Sequence, residues 1–413
     1  MAHSLLQSSG SSSIALAAST TYYIWLGNCG ATGTTAYETT EAESQITYHS
    51  AGILSKLYCL VTSNNRGAST LKVRKNGADG SQSLSIADST TGQFEDASNT
   101  DTVSDGDELN YSLSTGAGGT GLTVPIFSCL FSASANTTVK LASVTTGIAT
   151  TSSGVTRFTL VAGTLSTMAT SDETFTALDI NTAGVWENLF VYINTNARTT
   201  STTVKTRINA ADGNQSVSIG AGATGIFEDT SNTDTVSVND NLDYSMTYAV
   251  DSNSINYNII ATEFTTTDNS FSVIQSDNVG ESFTGGQTNY YPVAGGAVSE
   301  DSTETNFRAD IRLNCTASNL VVLISVNGLT GDTTVKVRKN GADGSQSLSI
   351  AAGTTGLFED ATNSDILNST DEVDYQVIAG AGVSSFIVRG IGMKIVTTLE
   401  LLNAHRTLLG VGL

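Results

Sequence analysis

Proline is nearly missing from this chain: Pro125 and Pro292 are the only two in 413 residues. No long stretch carries a convincing helical period, and Gly, Ser, Thr, Asn and Asp dominate, which leaves an all-β class. Histidine is as scarce, with only His3, His49 and His405. Two of the three lie near the termini, so neither a Ser-His-Asp arrangement nor a zinc site can recur along the chain. The four cysteines, Cys29, Cys59, Cys129 and Cys315, are far apart and form no CxxC pair. That spacing argues against a disulfide framework and leaves room for one bridge at most. Cys59 lies in the apolar run Leu57-Tyr58-Cys59-Leu60 and reads as a small core residue. Basic residues number 18 against 39 acids, a net charge of −21. A phosphate-backbone partner needs concentrated Lys and Arg, so nucleic-acid binding is excluded as a class. No span approaches the roughly 18 apolar residues of a membrane helix. The start, Met1 to Gln7, lacks the basic residues and apolar run of a secretory signal, so synthesis in a cytosol without Sec export is expected.

What is present is a block that occurs three times: Lys72 to Tyr111, Lys205 to Tyr244 and Lys336 to Tyr375. No insertion or deletion separates the copies, and Lys72 to Ala87 is identical to Lys336 to Ala351. Equivalent aspartates Asp79, Asp212 and Asp343 lie 133 and 131 residues apart. A period that long means tandem domains, each with its own core, rather than a solenoid of short units. Within the block, Leu71 and Val73 alternate with Lys72 and Arg74; Asn76 to Gly80 supplies turn residues; Leu84 and Ile86 alternate with serines. This predicts a hairpin. Phe94, with Phe227 and Phe358, is the one large apolar residue in a polar run and is expected to plug the core beneath a surface loop.

Each copy is expected to open on an aromatic or apolar first strand, at Tyr22 to Gly27, Arg157 to Val161 and Tyr290 to Val293. A polar, acid-containing segment follows, then the most apolar run of each copy: Ile53 to Val61, Val185 to Ile193 and Leu320 to Val326. About eight short strands per copy, bounded by Gly, Asn, Asp and Ser turns, predict three tandem jelly-roll-like β-sandwich domains, with an immunoglobulin-like sandwich as the second choice. The expected boundaries are an N-terminal arm at 1–19, sandwiches at 20–140, 141–272 and 273–396, and a short C-terminal tail at 397–413. Leu401, Leu402, Leu408 and Leu409 give the tail a crude helical stripe. It either folds back on the third copy or docks on a neighbouring subunit.

The candidates for chemistry are thin. Glu95-Asp96, Glu228-Asp229 and Glu359-Asp360 are carboxylate pairs, but adjacent strand residues point to opposite faces and cannot flank one glycosidic bond. Asp79, Asp101 and Asp107 could offer oxygens to calcium, yet Asp105-Gly106-Asp107 does not recur in the other copies, so turn-forming aspartates are the better explanation. No cofactor is therefore expected, and no enzyme. Trp25 and Trp186 sit inside strand runs at non-equivalent positions and read as core rather than glycan platforms. The basic cluster of Lys72 and Arg74, with Lys336 and Arg338, is notable in so acidic a chain. It faces either acids of its own sheet or a neighbouring module or subunit, with a solvated strand face slightly favoured.

Val337 to Asp365 and Asp371 to Val377, VRKNGADGSQSLSIAAGTTGLFEDATNSD and DEVDYQV, resemble β-sandwich modules in structural proteins of tailed bacteriophages. The resemblance covers about 40 residues of each copy and carries no catalytic motif. It implies a non-enzymatic virion protein, a capsid decoration or fibre-type component made in the host cytoplasm. Its implied partners are other virion subunits, a major capsid protein or its own copies, with a host-surface glycan left open. The alternative is an extracellular filament subunit or adhesin whose modules bind sugar or a sister strand.

Overall fold

The fold is seen in a computed structural model, which describes residues 3–10, 15–30, 37–165, 171–296 and 301–398, without the side chains of 146–149 and 277–281. It is nearly all strand, with three short 3-10 turns at Glu41–Glu43, Glu173–Phe175 and Glu304–Asn306. Among the described residues no helix is long and apolar enough to cross a membrane.

The first copy contributes eight principal strands: β1 (Ser4–Ser9), β2 (Thr21–Trp25), β3 (Gly52–Val61), β4 (Ser69–Lys75), β5 (Ala78–Ile86), β6 (Gly92–Val103), β7 (Asp107–Ser114) and β8 (Ile126–Ala133). They form two antiparallel layers ordered β1-β8-β3-β6 and β2-β7-β4-β5. The second copy repeats both orders with β9 (Thr137–Thr150), β10 (Val155–Leu160), β11 (Gly184–Asn196), β12 (Thr202–Ile208), β13 (Ala211–Ile219), β14 (Gly225–Val236), β15 (Asn241–Tyr248) and β16 (Ile255–Thr266). The third does so with β17 (Ser270–Phe283), β18 (Thr288–Tyr291), β19 (Cys315–Asn327), β20 (Thr333–Lys339), β21 (Ala342–Ile350), β22 (Gly356–Leu367), β23 (Glu372–Ile378) and β24 (Phe386–Thr397).

The two layers of a copy meet across a shared apolar core. Tyr111 of β7 stacks on Phe127 of β8 with ring centroids 6.3 Å apart, and Trp186 of β11 packs on Tyr244 of β15 at 5.6 Å. Phe94, Phe227 and Phe358 are half-buried against that core, but from within a strand and not beneath a loop. The predicted hairpin is present in each copy with a two-residue turn. Asn76 and Gly77 take φ of +51° and +73°, the mirror-image turn that matches strand twist.

The chain enters the fold earlier than its sequence suggests. The segment expected as an arm at 1–19 contains β1, every residue of which is buried, and β1 pairs along its whole length with β8. β9 and β17 occupy the equivalent places, so they run across the expected boundaries at 140/141 and 272/273. The copies therefore begin at 4, 137 and 270. The aromatic runs at Tyr22 and Tyr290 are second strands, and the first strands carry no period-two signal, as Ser4-Leu5-Leu6-Gln7-Ser8-Ser9 shows. Ser and Gln are tolerated there because their side chains reach backbone carbonyls: Ser8 Oγ donates to Trp25 O at 2.5 Å and Gln7 Nε2 to Ala294 O at 3.0 Å.

Candidate functional site

The three copies close on one another. A short segment after each second strand, Cys29–Gly30, Gly163–Thr164 or Gly295–Gly296, runs parallel to the first strand of its own copy. Each segment also reaches the first strand of the next copy. Asn28 donates its N–H to Lys140 O at 2.8 Å, and Thr164 bridges to Asp277. The circuit closes where Ser9 Oγ lies 2.9 Å from Gly296 O and 2.7 Å from Gly296 N, and where Gln7 meets Ala294. Copy one touches two, two touches three and three touches one, a cyclic pseudo-threefold order in a single polypeptide. At its centre Thr164 Oγ1 donates to Gly30 O at 2.8 Å. A Cβ on Gly30 or Gly296 would overlap the other's backbone, which is why glycine stands there.

Around this junction an equivalent loop residue stands at each boundary between copies, His49, Asn181 or Arg312, and its surroundings differ. Between copies one and two, His49 Nε2 is 3.2 Å from Glu228 Oε1, and His49 Nδ1 is 2.8 Å from Asp105. The Glu263 carboxylate accepts the His49 backbone N–H at 2.7 Å, the Ser50 hydroxyl at 2.6 Å and an Asn188 Nδ2 proton at 3.4 Å. Lys140, fully buried, donates to Thr47 O at 2.7 Å and lies 3.5 Å from Glu263. Between copies two and three the corresponding loop residue is Asn181, and Thr182 lies beside Ser272 at 3.2 Å. Between copies three and one it is Arg312, only 3% exposed, which lies over the Tyr58 ring at 4.8 Å and donates to Ser128 Oγ at 2.7 Å.

The Glu-Asp pairs point to opposite faces. Glu228 serves the boundary just described, whereas Asp229 is turned inward. Asp96, Asp229 and Asp360 each accept a backbone N–H from β5, β13 or β21: Ser83 at 3.0 Å, Ser216 at 2.9 Å and Ser347 at 2.9 Å. They also hold Asn99, Asn232 and Asn363. Asp101 accepts from Ser81 N at 2.5 Å and Gln82 N at 3.2 Å, and Asp365 does the same for its copy. Since β5, β13 and β21 lie at the edge of their layers, these carboxylates occupy N–H groups that would otherwise face solvent. Burial alone would raise the Asp96 carboxyl, but the Asn99 amide and the N–H groups of Ser83, Asn99 and Ser98 together hold it down at about 2.

The basic cluster turns to acids of its own copy. Arg74 forks onto Glu41 at 2.8 and 3.0 Å and also reaches Asp79, while Lys72 lies 2.5 Å from Asp79. Arg338 lies 3.1 Å from Glu304, and both it and Lys336 pair with Asp343. Leu401, Leu402, Leu408 and Leu409 lie outside the described residues. Trp25 and Trp186 are buried, their indole N–H groups donating to Glu43 O and Thr262 Oγ1. All four cysteines are free and buried, and burial pushes the Cys29 thiol up to about 12. Asp107 accepts from Ser104 N at 2.8 Å and Asn76 Nδ2 at 2.7 Å, the bonds of a turn. Among the described residues no group of three or more His, Cys, Asp or Glu side chains could hold a metal ion.

Neither Lys56 nor Arg312 stands out in the sequence. The signal was there only by alignment of the copies: Lys56 replaces Asn188 and Asn319, and Arg312 replaces His49 and Asn181. No protein-family model matches the chain, and no curated protein matches it.

Proposed function

We propose that this chain is a non-enzymatic structural protein of a virion, a capsid decoration or fibre-type component, built from three jelly rolls fused into a pseudo-trimer. The observation that carries the reading is the cyclic closure of the three copies through Asn28, Thr164 and Gly296. A closed, threefold-like block with broad β faces is suited to seating on a symmetric lattice, where it adds buried area between subunits. The layer orders β1-β8-β3-β6 and β2-β7-β4-β5 support the jelly-roll assignment, because two interleaved Greek keys run through the strands in that way.

Two further features favour building material over a reagent. The recurring aspartates are engaged, Asp96, Asp229 and Asp360 in edge capping and Asp79, Asp212 and Asp343 in ion pairs, and the four thiols are buried. The capped edges also count against the filament-subunit reading by strand addition at β5, β13 or β21, since the N–H groups of Ser81, Gln82 and Ser83 already have acceptors. Electron microscopy of the particle from which the protein comes tests the proposal. Three-lobed density on the particle surface, lost when the protein is removed, is the expected result. A free polymer on cells, or a monomer that cleaves a glycan, would overturn it.

A further inference from the structure

We propose that the boundary between copies three and one holds a small oxyanion, of carboxylate or phosphate class, between Lys56 and Arg312. This inference is independent of the virion reading. A cavity of about 120 Å³ opens there, lined by His3, Lys56, Leu130, Arg312, Asn314 and Thr398 among others, with no carboxylate among the described residues of its wall.

Each of the two side chains is tied to the other residue's backbone carbonyl. Lys56 Nζ donates to Arg312 O at 3.2 Å, and Arg312 Nη1 donates back to Lys56 O. Among the described residues no carboxylate lies within ion-pair distance of either. Arg312 is buried, and its Nε proton has no acceptor among the described residues. The Glu95 carboxylate acts on Arg312 only from beyond ion-pair distance, and a buried guanidinium with an unused donor is a cost that an anion would offset.

Both cations also stand on strained backbone. Lys56 has φ of +54° and Arg312 of +56°, the left-handed region. Asparagine suits that region, and the other copies use it: Asn188 at +58°, Asn319 at +55° and Asn181 at +53°. Copy one supplies the lysine where both sister copies have asparagine, and copy three the arginine where copy two has Asn181 and copy one has His49. Strain retained at such a place points to a role.

The sister boundary shows what belongs in the gap. Between copies one and two, the space framed by His49 and Asn188 is filled by the Glu263 carboxylate. The residue equivalent to Glu263 on β8 is Leu130, as their pairings with Lys140 and Leu5 establish. Copy one therefore lacks the internal carboxylate just where the two neighbouring positions have become cations. An external oxyanion completes the same arrangement.

Isothermal titration of the full-length protein with inorganic phosphate, against chloride at matched ionic strength, tests this. One phosphate per chain is expected, because only one boundary carries the pair. Lys56→Asn, the residue used by both sister copies, is expected to weaken binding at least tenfold with folding intact. Leu130→Glu is expected to abolish phosphate binding and to raise Tm in phosphate-free buffer by supplying the carboxylate from within. No phosphate binding by the wild-type protein, three sites per chain, or unchanged affinity in Lys56→Asn would overturn the proposal.

Discussion

Asp96 accepts the backbone N–H of Ser83 at 3.0 Å, and the same bond joins Asp229 to Ser216 and Asp360 to Ser347. It covers a sheet edge in all three copies. Replacing Asp96 with Ala leaves the Ser83 N–H and the Asn99 amide without their acceptor, a loss of about 1–3 kcal/mol. Denaturant unfolding should show that loss, and light scattering should show faster association as the edge is bared. Because bonding holds Asp96 and Asp360 at about 2, below the ordinary carboxylate value, their contribution is complete above about pH 4 and fades as pH falls toward 2. Acid titration of the wild-type protein should therefore lose stability in that window, and Asp96→Ala should lose less across it.

The hairpin turn of copy two is a place to gain stability. Asn209 and Ala210 have φ of +50° and +62°, where copies one and three place glycine second. An alanine held in the left-handed region costs about 1–2 kcal/mol, partly offset by the greater freedom glycine has when unfolded. Ala210→Gly should raise the denaturation midpoint by the equivalent of about 0.5–1 kcal/mol, and Gly77→Ala should lower it comparably. A fall in stability for Ala210→Gly would contradict the turn geometry.

Asp374 is buried with neither oxygen hydrogen-bonded among the described residues, whereas its equivalents have partners. Asn110 donates to Ser44 Oγ at 2.8 Å and Asp243 accepts from Thr176 Oγ1 at 2.9 Å, but Phe307 stands in the place of that hydroxyl in copy three. Burial, with Glu304 nearby, pushes the Asp374 carboxyl up to about 8. The folded state therefore keeps a proton that the unfolded chain releases near pH 4. The stability this proton gives is complete below about pH 4 and is lost as pH rises through about 8. Asp374→Asn should be more stable than wild type at pH 8, by about 1–3 kcal/mol, and nearly equal to it at pH 4. Parallel melts at the two pH values would check the sign.

His49 ties copy one to copy two. Its bond to Glu228 raises the imidazole above its ordinary value, burial opposes that, and Asp105 adds to it. The stabilisation is complete below about pH 6.5 and is lost as pH rises through the elevated folded value. Protonated His49 and Lys140 are the cations that face Glu228, Asp105, Glu263 and Glu187 at this boundary. His49→Gln should cost about 0.5–1 kcal/mol at pH 6 and little at pH 9, read by thermal melts. A cost independent of pH would show that packing, not charge, is at stake.

Much of the fold was legible because the repeated block is self-consistent. Leu71, Val73, Leu84 and Ile86 alternate cleanly, and Asn76-Gly77 names its own turn. The first strands were not legible, since Ser4–Ser9 is buried on both sides and shows no period. The opposed directions of Glu95 and Asp96 followed from strand geometry alone. The cyclic closure did not, because Gly30, Thr164 and Gly296 share no pattern beyond being small, and what brings them together is a contact across more than 100 residues. Lys56 and Arg312 were hidden for a similar reason: in the sequence each reads as an isolated basic residue until the copies are superposed.

The closed arrangement of the three copies is tested most directly by small-angle X-ray scattering of the monodisperse full-length chain. A compact chain of this length should have a radius of gyration of about 22 Å. Three copies strung out as a rod would give about 30 Å or more on the same scaling. The first value supports the ring joined through Ser9 and Gly296, and the second would contradict it.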